Sequence, residues 1–200
     1  MNKGRLFIVS GPSGSGKDTI LDGLFKVFPD IKFSISCITR DARKGDGDKK
    51  KYNFISREEF EKMIKNDELL EYNKYLDNYY GTPKAPIIKA IENGDDMIIE
   101  VDVNGAYNIK KVLPECVSIF ILPPSLDVLK TRLESRKTET PEKITARLEQ
   151  ARLEIPRAKE FDYVVVNNKL EDVIKDFVNI ILAEKLRTDR NLDIINKTIN

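Results

Sequence analysis

Leu6-Phe7-Ile8-Val9-Ser10-Gly11-Pro12-Ser13-Gly14-Ser15-Gly16-Lys17-Asp18-Thr19 is the stretch from which the rest of the chain can be read. Leu6 to Val9 is a short apolar run that predicts a buried strand. Ser10 to Gly16 predicts a glycine-rich turn, and Thr19 to Phe28 a helix with Ile20, Leu21, Leu24 and Val27 at helical spacing. The pattern repeats further on. Met97 to Val101, Val117 to Leu122 and Val164 to Val166 read as strands without polar alternation. Each leads into a helix: Tyr107 to Leu113, a run carrying Leu126, Leu129 and Leu133, and Val173 to Leu186. Continuous apolar strands separated by helices predict an α/β fold, a parallel sheet flanked by helices on both faces.

Two segments break this rhythm. Residues 33–82 are polar and rich in Tyr and Lys, with short strand-like pieces around a helix at Glu58 to Lys65. They read as an inserted small α+β lobe. Glu134 to Glu142 is a charged stretch between two helices and reads as a loop or lid, which extends to about residue 147. The expected organisation is therefore one domain over 1–200. Its core is 1–32 and 83–187, its lobe 33–82, its lid about 134–147, and 188–200 a polar tail that frays.

Composition excludes several chemistries. The chain has 200 residues, enough for one core of this kind, with 40% hydrophobic and 34% charged residues. Lys plus Arg number 34 against 33 acidic residues, so net charge argues for neither a nucleic-acid nor a membrane partner. There is no histidine, and the two cysteines, Cys37 and Cys116, are far apart in apolar contexts. A Cys/His zinc site, a Cys–His pair and a Ser–His–Asp triad are all ruled out. Two buried free thiols fit a reducing compartment, and no apolar run approaches the roughly 18 residues that span a membrane. A cytoplasmic location is the expectation; the residues leave monomer or homo-oligomer open.

Gly11, Pro12, Ser13, Gly14, Ser15, Gly16 and Lys17, between a strand and a helix, form a P-loop. The glycines let backbone N–H groups turn toward phosphate oxygens, the helix N-terminus adds partial positive charge, and Lys17 reaches the β- and γ-phosphates of a nucleotide. The residue after the lysine, normally Ser or Thr touching Mg²⁺, is Asp18, followed by Thr19. Asp18 either holds the metal, directly or through water, or repels the triphosphate, or simply suits the first helical turn.

Onward from Arg5 to about Lys185 the chain resembles the guanylate kinases. Ser34-Ile35-Ser36-Cys37-Ile38-Thr39-Arg40-Asp41-Ala42-Arg43-Lys44-Gly45-Asp46, then Tyr52-Asn53-Phe54, follows that family's Ser-x-Ser-x-x-Thr-Arg-x-x-Arg-x-Gly-Glu and Tyr-x-Phe elements. Glu71 and Asn78-Tyr79-Tyr80-Gly81-Thr82 follow. The resemblance implies a P-loop NTPase-type sheet with a monophosphate-binding lobe and helical lid, and transfer of the ATP γ-phosphate to GMP, and dGMP, with Mg²⁺ in purine metabolism. Arg40 and Arg43 would hold the GMP phosphate with forked donors, helped by Tyr52 and Tyr80. Glu71 would accept from guanine N1–H and the 2-amino group, Ser36 or Thr82 would donate to O6, Gly81 belongs to the same element, and Tyr79 would pack.

Glu100-Val101-Asp102-Val103-Asn104-Gly105 resembles the family's Asp-x-Asp-x-Gln-Gly, which implies Asp102 on the GMP side and Glu100 near metal and phosphates. Arg132, Arg136 and Arg147 match its lid arginines, and with Lys17 and Arg40 they form the implied catalytic set; Asn167 matches an adenine contact. Lys137 and the Lys49-Lys50-Lys51 run depart from the family pattern. Two other readings compete: a related P-loop kinase with a different acceptor, and a guanylate-kinase-like module that binds a partner without catalysis.

Overall fold

A computed structural model describes residues 3–42, 52–75, 77–135 and 140–199. The core is a five-stranded parallel sheet of β1 (Leu6–Ser10), β2 (Lys32–Phe33), β7 (Met97–Glu100), β8 (Val117–Leu122) and β9 (Tyr163–Val166), in the order β2-β7-β1-β8-β9. The central strand β1 is buried throughout, so its alternate residues feed two cores. Phe7 and Val9 face α1 (Lys17–Val27) and α7 (Leu170–Lys185), meeting Ile20, Leu24, Phe177 and Ile181. Leu6 and Ile8 face α3 (Lys84–Glu92) and α4 (Val103–Val112), meeting Ile87, Ala106 and Ile109.

A second, four-stranded sheet forms the inserted lobe. Its strands are β3 (Ser36–Ile38), β4 (Tyr52–Phe54), β5 (Leu69–Tyr75) and β6 (Asn78–Pro83), in the order β4-β3-β6-β5. The helix α2 (Arg57–Lys65) covers it, burying Phe60 against Cys37 and Leu69. A Ser56/Glu59 capping box starts this helix, each side chain taking the other's backbone N–H. The short β2 pairs with β7 in the core sheet, so the second sheet begins at Ser36.

The helices α5 (Leu126–Ser135) and α6 (Pro141–Glu154) pack through Leu129, Leu133 and Ala151. The expected lid tip, 136–139, lies outside the described residues. The segment after residue 187, expected to fray, is instead helical: a 3-10 turn at Thr188–Arg190, then α8 (Leu192–Ile199). A partly buried ion-pair network holds the start of this segment. Arg190 donates to Asp96 Oδ1 at 2.9 Å, and Arg5 bonds Glu184 and Asp189 at 3.0 and 2.6 Å.

Candidate active site

The P-loop crosses the carboxyl end of β1, where parallel sheets present their ligand crevice. Gly11, Gly14 and Gly16 have φ of 145°, 90° and 95°. At Gly16 the requirement is doubled, because a Cβ there would lie 2.3 Å from Asn167 Nδ2. Gly16 is also the N-cap of α1 and offers no side-chain cap, which leaves first-turn N–H groups for an anion. Lys17 Nζ donates to the Gly11 and Pro12 carbonyls at 2.7 and 3.3 Å and stands 3.9 Å from Glu100 Oε1.

Side chains from distant elements brace this loop. The buried Asn167, which the resemblance directs toward adenine, donates one amide hydrogen to the Ser15 carbonyl at 2.7 Å. Arg132 Nη2 donates to the Asn167 carbonyl at 2.8 Å and Nη1 to Ser15 O at 3.4 Å. Arg147, on α6, donates to Ser13 Oγ. Lys17, Arg132 and Arg147 thus converge on one loop, a concentration of cation suited to polyphosphate. Ser15 Oγ is buried there without a hydrogen-bond partner among the described residues.

A second group assembles where β5 and β6 meet the start of α4. Thr82, fully buried, donates its hydroxyl to Glu71 Oε1 at 2.7 Å. That proton is then committed to Glu71. Glu71 lies over the first turn of α4: a Cβ on Gly105 would come within 3.1 Å of Oε2. Burial pushes the Glu71 carboxyl up to about 7; the Thr82 bond pulls it down and the nearby Asp102 charge pushes it further up. Asp102 caps α4, accepting the Gly105 N–H on Oδ1 at 2.7 Å, and takes the Asn73 amide on Oδ2 at 3.0 Å.

Arg40 and Tyr52 come together at the opposite edge of the lobe sheet. The Arg40 guanidinium sits 5.7 and 5.6 Å from the Tyr52 and Phe54 ring centroids and donates to Asp41 O. Ser36 pairs with Tyr52 across β3–β4, and Tyr80 with Asn73 across β5–β6. Gly81 lets Phe60 approach, since a Cβ there would stand 2.7 Å from Phe60 Cζ. Tyr79 stacks on Phe60 at 5.1 Å, a packing role. Arg43, Arg136 and Lys49 to Lys51 lie outside the described residues.

Asp18 and Thr19 are exposed on the first turn of α1. Among the described residues no group of three or more His, Cys, Asp or Glu side chains forms a metal cage. Asp18 and Glu100 instead offer single hard oxygens near the P-loop. That is the donor set Mg²⁺ takes when phosphate oxygens and water complete its shell.

Three residues of the site escaped the sequence reading. Asn73 bonds a partner 29 positions away, a distance no local pattern reveals. Glu154, seven residues after Arg147 on α6, shares its face of the helix, which was the available signal. Burial raises the Glu154 carboxyl pKa, with Gln150 and Lys17 opposing. Arg157, in the 3-10 helix Ile155–Glu160, donates to Asn104 Oδ1 at 2.7 Å and so ties the base of the lid to α4.

The geometry agrees with comparisons to known proteins. The guanylate kinase family model matches residues 3–184. A guanylate kinase of Carboxydothermus hydrogenoformans is 46% identical over 190 residues, covering 95% of this chain and 93% of the relative. One of Oceanobacillus iheyensis is 47% identical over 188 residues, covering 94% and 91%. The crystal structure of guanylate kinase from Anaplasma phagocytophilum superposes with a TM-score of 0.80 at 31% identity, covering 97% of this chain and 94% of that one.

Proposed function

The chain belongs to the guanylate kinase family and phosphorylates GMP with ATP; on that premise we propose how its residues divide the work. The observation that carries the proposal is the pairing of two built sites at the carboxyl ends of the neighbouring strands β1 and β7, with Glu154 close enough to feel both Lys17 and Asp102. One is the cation-rich P-loop with Lys17, Arg132 and Arg147; the other is the acceptor cluster of Glu71, Thr82 and Asp102.

The P-loop N–H groups, with Ser13, Ser15 and the start of α1 at Asp18 and Thr19, hold the ATP phosphates. Asn167 fixes the loop with one amide hydrogen and offers the rest of its amide to the adenine. Arg132 and Arg147 neutralise the transferring phosphoryl group, and Arg136 adds to them on lid closure. A loose transition state of this kind needs positioning and charge stabilisation rather than a covalent nucleophile. Mg²⁺, held by Glu100 and Asp18, would supply further neutralisation of the phosphates. On the acceptor side, Arg40 and Arg43, with Tyr52 and Tyr80, hold the GMP phosphate. Glu71 and Asp102 accept from the guanine N–H donors, and Ser36 donates to O6.

dGMP, which presents the same base and phosphate, is a second acceptor, and the reaction serves purine nucleotide metabolism in the cytoplasm. Two buried free thiols support a reducing compartment, and among the described residues no helix is long and apolar enough to cross a membrane.

The test is an ADP-release assay with ATP and Mg²⁺, offering GMP, dGMP, AMP, UMP and CMP in parallel. Turnover is expected only with the guanine nucleotides, falling about 10³-fold or more in Lys17→Ala. An Asp18→Ser variant whose Mg²⁺ dependence matches the parent's would remove Asp18 from the metal site. Full turnover in Lys17→Ala would overturn the assignment of the phosphate cradle.

A further inference from the structure

Asn73 belongs to none of the expected sets, yet it stands between them. It lies two residues from Glu71 on β5, and side chains so spaced share a face of the strand. Its register partner across the sheet is Tyr80, as Thr82 is that of Glu71. Glu71, Asn73, Thr82 and Tyr80 therefore line one face of the lobe, the face that meets the first turn of α4. From there the Asn73 amide crosses to the core and donates to Asp102 Oδ2 at 3.0 Å, while the Gly105 N–H holds Oδ1 at 2.7 Å.

The two bonds fix both oxygens of the Asp102 carboxylate and leave each a further lone pair. Guanine presents three N–H hydrogens on one edge, one on N1 and two on the 2-amino group. A bidentate carboxylate at Glu71 takes the N1 hydrogen and one amino hydrogen. The second amino hydrogen then needs its own acceptor, and Asp102 is the neighbouring carboxylate. Two carboxylates facing one ligand edge repel each other, and an amide donor held on one of them offsets part of that repulsion.

We propose that Asn73 is a positioning residue for guanine recognition: its side-chain amide holds the Asp102 carboxylate, across the junction of lobe and core, in the orientation that accepts the guanine 2-amino group. The proposal rests on the reading of Asp102 as a base contact. Asn73 acts through Asp102 and makes no contribution to the ATP side.

The test compares GMP with IMP, whose base lacks the 2-amino group, in the full chain carrying Asn73→Ala, Asp102→Asn, or both. In Asn73→Ala, kcat/KM for GMP is expected to fall about tenfold. For IMP it should change less than twofold, and KM for ATP should stay unmoved. In the Asp102→Asn background, which keeps a helix cap, adding Asn73→Ala should change the GMP/IMP ratio no further. Equal losses on GMP and IMP would make Asn73 only a staple between lobe and core and would overturn the proposal, as would additive effects in the double variant. An Asp102→Asn variant with an undiminished GMP/IMP ratio would overturn the reading of Asp102 and the proposal with it. A collapsed ratio in Asp102→Asn with no change in Asn73→Ala would sink the role of Asn73 alone. Thermal melts of each variant confirm that the compared proteins are folded.

Discussion

Glu71 is held at a carboxyl pKa of about 7, chiefly by burial, whereas the proposed guanine contact needs the ionised form. Its ordinary value is 4.5, so the unfolded chain releases this proton first. The folded state is favoured fully below about pH 4.5, and that contribution is lost as pH rises toward 7. Replacing the carboxyl by an amide removes the penalty. Glu71→Gln is therefore expected to melt about 2–6 °C above the parent at pH 8 and close to it at pH 5, while kcat/KM for GMP drops about 10²-fold or more. KM for GMP in the parent should rise as pH falls below 7, because the acceptor becomes a donor. The GMP phosphate gains its second proton near ~6, so the Glu71→Gln profile isolates that limb. A parent and variant with identical pH profiles would show that Glu71 does not gate binding. The residue reads as a reader of guanine from sequence, but its proton affinity does not. That depends on its burial beside Thr82 and the first turn of α4, and on Asp102, which folding brings alongside.

Among the elements, α5 and α6 do more than carry lid arginines. Leu133 is buried between them and also roofs the P-loop, since a Cβ on Gly14 would meet Leu133 Cδ2 at 2.9 Å. The same helix turn thus presents Arg132 to Ser15 and Asn167 and Leu133 to the glycine. Leu133→Ala is expected to destabilise the protein by about 2–4 kcal/mol in denaturant titrations. It should raise KM for ATP several-fold more than KM for GMP; equal changes on both substrates would argue against the coupling. The leucine spacing that predicts α5 is plain in the sequence, but which loop it packs on is not. In the same way, the strand-turn-helix of residues 6–28 is legible because apolar run, glycines and helical spacing are adjacent. The bond from Asn73 to Asp102 is less so, since the two residues lie in different elements, 29 positions apart.

At the scale of the whole molecule, Arg5 and the segment around Glu184 to Arg190 are tied together at the amino ends of β1 and β7. Asp96 is buried and accepts from the Arg5 N–H and from Arg190 at 2.9 Å each, with Lys185 at 3.5 Å. Glu184 is buried too and accepts the Tyr163 hydroxyl at 2.7 Å and Arg5 at 3.0 Å. Because Asp96 retains other partners, Arg190→Ala is expected to cost about 2 kcal/mol, below the usual range for a broken buried pair, and to lower Tm by about 4–8 °C. The loss should be largely independent of bound nucleotide; an unchanged Tm would return the C-terminal helices to the status of a surface tail. By itself the sequence determined the parallel α/β core, the P-loop, the inserted lobe and the family, because each is written in residues adjacent along the chain or in motifs whose order is local. Only the tertiary structure decided that Asn167 and Arg132 brace the P-loop, that Thr82 is bonded to Glu71, that Asn73 holds Asp102, and that the polar C-terminus is pinned. In each case the partners are far apart in sequence, and a hydrogen bond or ion pair leaves no periodic trace in the chain until burial brings its two halves together.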